Sequence, residues 1–276
     1  METKPPPRVD VAIVNWNTAA QAISAAGGYD SSAGVDVRVT VIDNASDQPD
    51  RELLRDAQGE TFTLIQGEEN LGFGHAANRA LADGDGDFVL VSNADVMPDP
   101  GAVAALVEAF ESRPDTGLVG PVFRGTDNYH DQLPGPFTLL VRIVVGGYNR
   151  KPIGVPPPGL ALVVEQPSGA CFLMSRELWE RTGGFDEQFF LWYEDVDLAK
   201  RLNDLGKIGL VAGSAQVDHL GGESFSRLDK GDQQALRLAS LGRYLDLHHR
   251  WSAILAKPLL WISRRARART SSAPES

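Results

Sequence analysis

Short β-branched runs recur through the first half of the chain, separated by stretches whose apolar residues fall at helical spacing. Val9 to Val14, Val37 to Ile42, Phe62 to Ile65, Phe88 to Val91 and Leu118 to Val122 read as strands, being brief, rich in Val, Ile and Phe, and bounded by polar or turn-forming residues. Between them, Ala19 to Ala26, Asp50 to Ala57, His75 to Ala82 and Gly101 to Glu111 read as helices, several with Ser, Thr or Asp near their starts. Strands alternating with helices predict an α/β fold with a mostly parallel sheet covered on both faces. The expected strands end in polar clusters, Asn15 to Asn17, Asp43 to Ser46 and Ser92 to Asp95, and open sheets of this class bind ligands beyond their carboxyl ends.

The alternation fails from Gly125 to Pro158, a stretch rich in Gly and Pro around an apolar core at Phe137 to Val145, which is expected to be a loop excursion over the site. A strand at Ala170 to Ser175, a helix at Arg176 to Arg181, a loop from Gly183 to Tyr193 and a helix from Glu194 to Leu205 follow. A strand from Ile208 to Val217 then delivers His219, and an amphipathic helix runs from Leu228 to His248.

Composition narrows the function classes. A formal net charge of −11 over 276 residues argues against nucleic acid as a partner, because polyanion binding draws on a basic surface. One cysteine, Cys171, rules out an internal disulfide framework. The start, Met1 to Arg8, lacks the apolar core of a secretory signal, and no apolar run reaches the length of a membrane span, so a cytoplasmic location is expected. Ala253 to Ile262 is a short apolar segment followed by Arg264, Arg265, Arg267 and Arg269. It can pack as an ordinary helix, or lie at the inner face of the cell membrane with the arginines against anionic lipid.

Several segments can carry chemistry. Asp43, ending an apolar strand, can accept from the imide N–H of a pyrimidine, with Asn44 and Ser46 offered to base or ribose, or the cluster can be an ordinary strand-to-helix turn. Asn70-Leu71-Gly72-Phe73-Gly74 opens a helix bearing Asn78, where glycines let backbone amides approach a nucleotide. Asn93 and Asp95 follow a buried strand, and one carboxylate there can hold a hard cation if a diphosphate supplies the other oxygens, or it can cap the next helix. Aromatic residues Phe189 to Tyr193 precede Glu194, Asp195 and Asp197. Acids in a first helical turn often answer only to the helix dipole, but beside ring faces suited to a pyranose one of them can take a sugar hydroxyl's proton. His219 can ligate a metal or serve as a structural cap.

In this order the segments Asp43-Asn44-Ala45-Ser46, Asn70 to Gly74, Ser92-Asn93-Ala94-Asp95, Ser168-Gly169-Ala170, Gly183-Gly184-Phe185-Asp186-Glu187, Glu194-Asp195-Val196-Asp197 and Asp218-His219 resemble the family-2 inverting glycosyltransferases of the GT-A fold, in their bacterial rhamnosyltransferase-like branch. The resemblance implies a nucleotide-sugar-binding half at 1–124, an acceptor-binding and catalytic half at 125–225 and a C-terminal helix and tail at 226–276. It implies Asp195 as catalytic base and Asp95 with His219 as ligands of Mg²⁺ or Mn²⁺. Asn15, Asn17, Asp43, Asn44, Ser46, Gly72, Asn78, Asn93 and Asp95 would form the donor side, and Ser168, Gly169, Ala170, Trp192 and Glu194 the acceptor side. The donor would be a dTDP or UDP sugar, dTDP-rhamnose first, and the acceptor a glycan or polyprenyl-diphosphate-linked hydroxyl. Asn93 departs from the family, whose metal motif often has an acid there. The processive members' Gln-x-x-Arg-Trp motif is broken here, since Leu238 follows Gln234 to Arg237, which favours transfer of a single sugar. A sugar nucleotidyltransferase and a degenerate, non-transferring member of the fold are the rival readings.

Overall fold

The computed structural model describes residues 5–30, 34–59, 61–124, 129–131, 133–135, 138–139, 150–152, 154–219, 229–251 and 253–254. Strand β1 (Arg8–Asn15) shows why the first runs read as largely apolar segments. Its odd residues Val9, Val11 and Ile13 face one core with Ala19, Ala22, Ala25, Ala26 and Tyr29 of helix α1 (Ala19–Asp30). Ala12 faces the opposite core with Ala76, Ala77, Ala80 and Leu81 of α3 (Phe73–Leu81). Side chains alternate between faces, so a strand covered on both sides is apolar on both; the exception in β1 is buried Asp10, which pairs with Arg176 and accepts from the Gly86 amide.

Strands β2 (Asp36–Asp43), β3 (Thr63–Gln66) and β4 (Phe88–Asn93) join β1 in parallel, with α2 (Gln48–Ala57) between β2 and β3. The sheet has nine strands, in the order β3, β2, β1, β4, β10 (Cys171–Ser175), β6 (Thr116–Arg124), β11 (Ile208–His219) and β5 (Val96–Pro98), with β9 (Ala161–Val164) also on β11. Strand β5 (Val96–Pro98) is separated from β4 by Ala94 and Asp95 alone, then α4 (Ala102–Glu111) and β6 (Thr116–Arg124) follow. Strand β10 (Cys171–Ser175) runs antiparallel between β4 and β6. It leads into α5 (Arg176–Thr182), α6 (Glu194–Asp204), β11 (Ile208–His219) and α7 (Lys230–His248).

The expected strands and helices are present with shifted ends, whereas β5, β9 and the two-stranded ribbon of β7 (Tyr129–Asp131) and β8 (Arg150–Pro152) were not foreseen. Each of these is three or four residues long and lacks a recognisable period. Strand β11 runs through an irregularity between Ala212 and Gln216, which lets its far end pair with β5. Helix α7 packs Leu238, Leu241, Tyr244 and Leu245 against Phe189, Tyr193 and Val196, so it holds the aromatic loop before α6. Most of the Gly125 to Pro158 excursion, the start of the last helix at Leu228 and the arginine-rich tail lie outside the described residues.

Candidate active site

The register of the parallel strands brings Asn15 level with Asp43, and Val14 level with Asn93. Asn15 and Asp43 are fully buried at the carboxyl edge. Asn15 Nδ2 donates to Asp43 Oδ1 and to Ser46 Oγ, each at 3.1 Å, and the Ser46 amide donates to the same Asp43 Oδ1 at 3.3 Å. The Asn17 amide reaches Ser46 Oγ at 2.7 Å, while Asn17 Oδ1 accepts from the Asp47 amide at 2.6 Å. One carboxylate oxygen of Asp43 is thus committed to the protein. The other, Oδ2, is buried with no donor among the described residues, an arrangement that favours a ligand donor because an unsatisfied buried acceptor is costly. Asn17 and Ala45 take left-handed backbone conformations, φ 56° and 61°, a strain that clusters at functional loops.

Asn44 and Asn78 use their amides on the protein itself. Asn44 Nδ2 donates to Asn70 Oδ1 at 2.8 Å and to the Gly72 carbonyl at 3.1 Å, fixing the turn before α3. Gly72 sits at φ 91°, and a Cβ there would lie 2.3 Å from the Phe190 carbonyl oxygen. This glycine therefore makes room for the aromatic loop, whose Phe190 carbonyl accepts from the Phe73 amide at 3.0 Å. Asn78 bridges α3 to the 183–187 turn, accepting from the Phe185 amide and donating to the Phe185 carbonyl, both at 2.9 Å.

A second constellation forms where β4 leaves the sheet. Because β5 pairs with β11 so that His219 stands opposite Val96, the imidazole meets the residue just before β5. His219 Nε2 lies 3.3 Å from Asp95 Oδ1, both side chains largely buried. Arg124 braces this corner, donating to Asp218 Oδ1 and Oδ2 at 2.9 and 2.7 Å and to Asp99 Oδ1 at 2.7 Å. Two ligands of one octahedral cation, each about 2.1 Å away at a right angle, stand about 3 Å apart. The separation and the N/O donor set fit Mg²⁺ or Mn²⁺, although no group of three or more metal-ligating side chains occurs among the described residues, leaving other coordination positions to substrate or water.

The third constellation surrounds the start of α6. Trp192 and Tyr193 turn the chain through left-handed conformations, φ 64° and 71°. The Asp195 carboxylate lies against Gly169, where a Cβ would be 2.3 Å from Oδ2. Gln166 Nε2 donates to that Oδ2 at 2.8 Å, and the Val196 amide donates to Oδ1 at 2.8 Å. One residue on, the Ala170 carbonyl accepts from the Asn93 amide at 2.8 Å, so the Ser168 to Ala170 segment links the end of β4 to Asp195. Glu194 is buried beside it. Burial first, and then the negative charge of Asp195, push the Glu194 carboxyl up to about 8, so it is largely protonated at neutral pH. The Arg237 guanidinium stacks 4.7 Å over the Trp192 ring.

These features meet a clear pattern among known proteins. The model of the family described as glycosyl transferase family 2 matches residues 19–182. Over 222 residues the chain is 34% identical to the N-acetylglucosaminyl-diphospho-decaprenol L-rhamnosyltransferase of Mycobacterium tuberculosis, spanning 73% of this chain and 71% of that protein. The chain belongs to glycosyl transferase family 2. This glycosyltransferase is also 27% identical over 146 residues to rhamnosyltransferase WbbL of Escherichia coli, 49% of this chain and 55% of that one. Among solved structures, the mannosyltransferase PcManGT from Pyrobaculum calidifontis in complex with GDP-Man and Mn²⁺ superposes with a TM-score of 0.59 at 20% identity, over 98% of this chain and 76% of that chain. S. aureus TarS 1–349 gives 0.54 at 14% identity, over 94% and 79%. The expected GT-A fold and rhamnosyltransferase-like membership are borne out.

Within the enzyme, the third acid of the Glu194 to Asp197 group has a separate task. Asp197 is buried, takes Arg201 Nε at 2.8 Å and lies 2.7 Å from His248 Nε2, tying α6 to α7. Arg201 also donates to the Thr182 and Gly184 carbonyls at 2.7 and 2.8 Å. Sequence reasoning missed Gln166, Arg124, Arg201 and His248. The last two are partners of a named acid, and the i, i+4 spacing of Asp197 and Arg201 could have signalled one of them.

Proposed function

We propose that this glycosyltransferase moves one sugar, with inversion, from a pyrimidine nucleoside diphosphate donor to a hydroxyl of a polyprenyl-diphosphate-linked glycan. The single observation that carries the reading is the placement of Asp195, whose carboxylate is held by Gln166 and pressed on Gly169, one bonded residue from the edge that also bears the Asp95–His219 pair. The relatives' rhamnosyl transfer, to N-acetylglucosaminyl-diphospho-decaprenol in the mycobacterial case, supports L-rhamnose as the sugar and a lipid-linked N-acetylglucosamine as the acceptor in this proposal.

In this reading Asp43 Oδ2 accepts from the base N–H, and Asp195 takes the acceptor's proton as its oxygen attacks the anomeric carbon opposite the departing diphosphate. Asp95 and His219 are the residues that would hold a divalent cation, which when bound supplies counter-charge to the leaving diphosphate. Both substrates are oriented by rigid strand ends, which contributes much of the rate. No helix among the described residues is long and apolar enough to cross a membrane. We assign the tail from Ala253 to a peripheral contact with anionic lipid on the cytoplasmic side, from its apolar-then-arginine sequence.

The deciding experiment incubates the protein with Mn²⁺, a panel of dTDP and UDP sugars and a short-chain polyprenyl-diphosphate N-acetylglucosamine. Acceptor-dependent release of nucleoside diphosphate, greatest with dTDP-rhamnose and giving a product of inverted anomeric configuration, is the expected result. Pyrophosphate release, or donor binding without turnover, would overturn it.

A further inference from the structure

We infer that Gln166 is a positioning residue for the base, a side chain whose service to Asp195 is kept at the expense of its own hydrogen bonding. The inference rests on the reading of Asp195 given above. Gln166 is 1% exposed, two residues beyond the end of β9 and three before Gly169. Its Nε2 donates to Asp195 Oδ2 at 2.8 Å, while its Oε1 is buried with no partner among the described residues. A buried amide carbonyl left unmatched costs stability, so packing alone would favour an apolar side chain of the same length. The half of the amide that is satisfied is the half that points at the carboxylate.

The geometry gives that bond two effects. Gly169 fills the space on one side of Oδ2 and leaves no room for a Cβ, and the Val196 amide fixes Oδ1. With Gln166 added, the carboxylate is restrained at both oxygens. Donation to the charged form also favours ionisation of Asp195. Glu194 adjoins it on α6, and its ionisation opposes that of Asp195. Glu165, next to Gln166, accepts from the Leu133 amide at 2.7 Å. Asp95 and His219 stand beyond Asn93 at the strand edge.

The test uses the full chain with Gln166→Met, which keeps the length and removes the donor, and Gln166→Glu, which keeps the shape and sets a second carboxyl against Asp195. Single-turnover transfer, its pH profile, donor affinity and thermal stability are measured on both, beside Asp195→Asn. Gln166→Met is expected to be at least as stable as the parent and to bind donor normally, yet to transfer about tenfold more slowly near neutral pH, the cost of one hydrogen bond to a charged group. The acid limb of its rate profile is expected to move to higher pH, and that of Gln166→Glu further still. An unshifted acid limb with rate and stability falling together would make Gln166 structural and overturn the inference. If Gln166→Met does not fold, the limb of Gln166→Glu decides alone. Near-normal transfer by Asp195→Asn would instead remove Asp195 as base, a different failure from a normal profile in the Gln166 variants when Asp195→Asn is inactive.

Discussion

His219 Nε2 stands 3.3 Å from Asp95 Oδ1, although 124 positions separate them in the chain, because β5 begins one residue after Asp95 and pairs with the last residues of β11. Together they are the pair proposed above to hold a divalent cation.

From that pair we expect transfer to stop in EDTA and to return with Mn²⁺ or Mg²⁺, and Asp95→Ala and His219→Ala each to slow it by at least about 10²-fold, since each removes a ligand of the counter-charge. The measurement is initial rate against free metal concentration. Full activity in EDTA would show that Asn93, where the family often has an acid, marks a metal-independent site.

Asp195 and Asp197 should separate cleanly. Asp195→Asn keeps shape but cannot take a proton, so single-turnover transfer should fall by roughly 10²- to 10⁴-fold with donor affinity nearly intact. Asp197→Asn leaves Arg201 and His248 facing a neutral group and should cost on the order of 3 kcal/mol of stability, the usual scale for breaking a buried ion pair. Urea unfolding and transfer at a temperature where both variants are folded distinguish chemistry from architecture.

Asp43→Asn tests the nucleobase contact. Asn15 and the Ser46 amide both donate to Oδ1, so they will hold the new carbonyl oxygen on that side and turn the amide N–H₂ to the Oδ2 position. A donor would then face a donor, and affinity for UDP or dTDP should drop about 10- to 100-fold. Calorimetry with dTDP, UDP and GDP would check it, and unchanged pyrimidine binding would place the base elsewhere.

Glu194 predicts a pH dependence of stability. Burial and the Asp195 charge raise its carboxyl from the ordinary glutamate range to about 8. The folded state therefore holds the proton more tightly than the unfolded one. The associated stability is fully present below the unfolded value, near pH 4.5, and is lost as pH rises through about 8. Glu194→Gln, permanently neutral, should lack that loss, so its advantage in Tm over the parent should widen from pH 5 to pH 8. Parallel Tm curves would contradict the assignment.

The sequence by itself determined the layered α/β plan, because covered strands and amphipathic helices write their burial into local periods of two and of about 3.6 residues. It also named Asp43, Asp95, Asp195 and His219, polar residues that interrupt apolar runs at strand and helix ends. Tertiary structure decided what each touches. Asp195 and Asp197 share one helical turn and one chemistry, yet one lies on Gly169 and Gln166 while the other is spent on Arg201 and His248. Gly72, legible as a loop glycine, makes way for Phe190, a residue 118 positions away. Gln166 left no local trace at all. Its environment is set by the crossing of segments distant in the chain, and the energy of a hydrogen bond or of desolvation depends on which groups arrive within a few ångströms, not on which precede it in sequence.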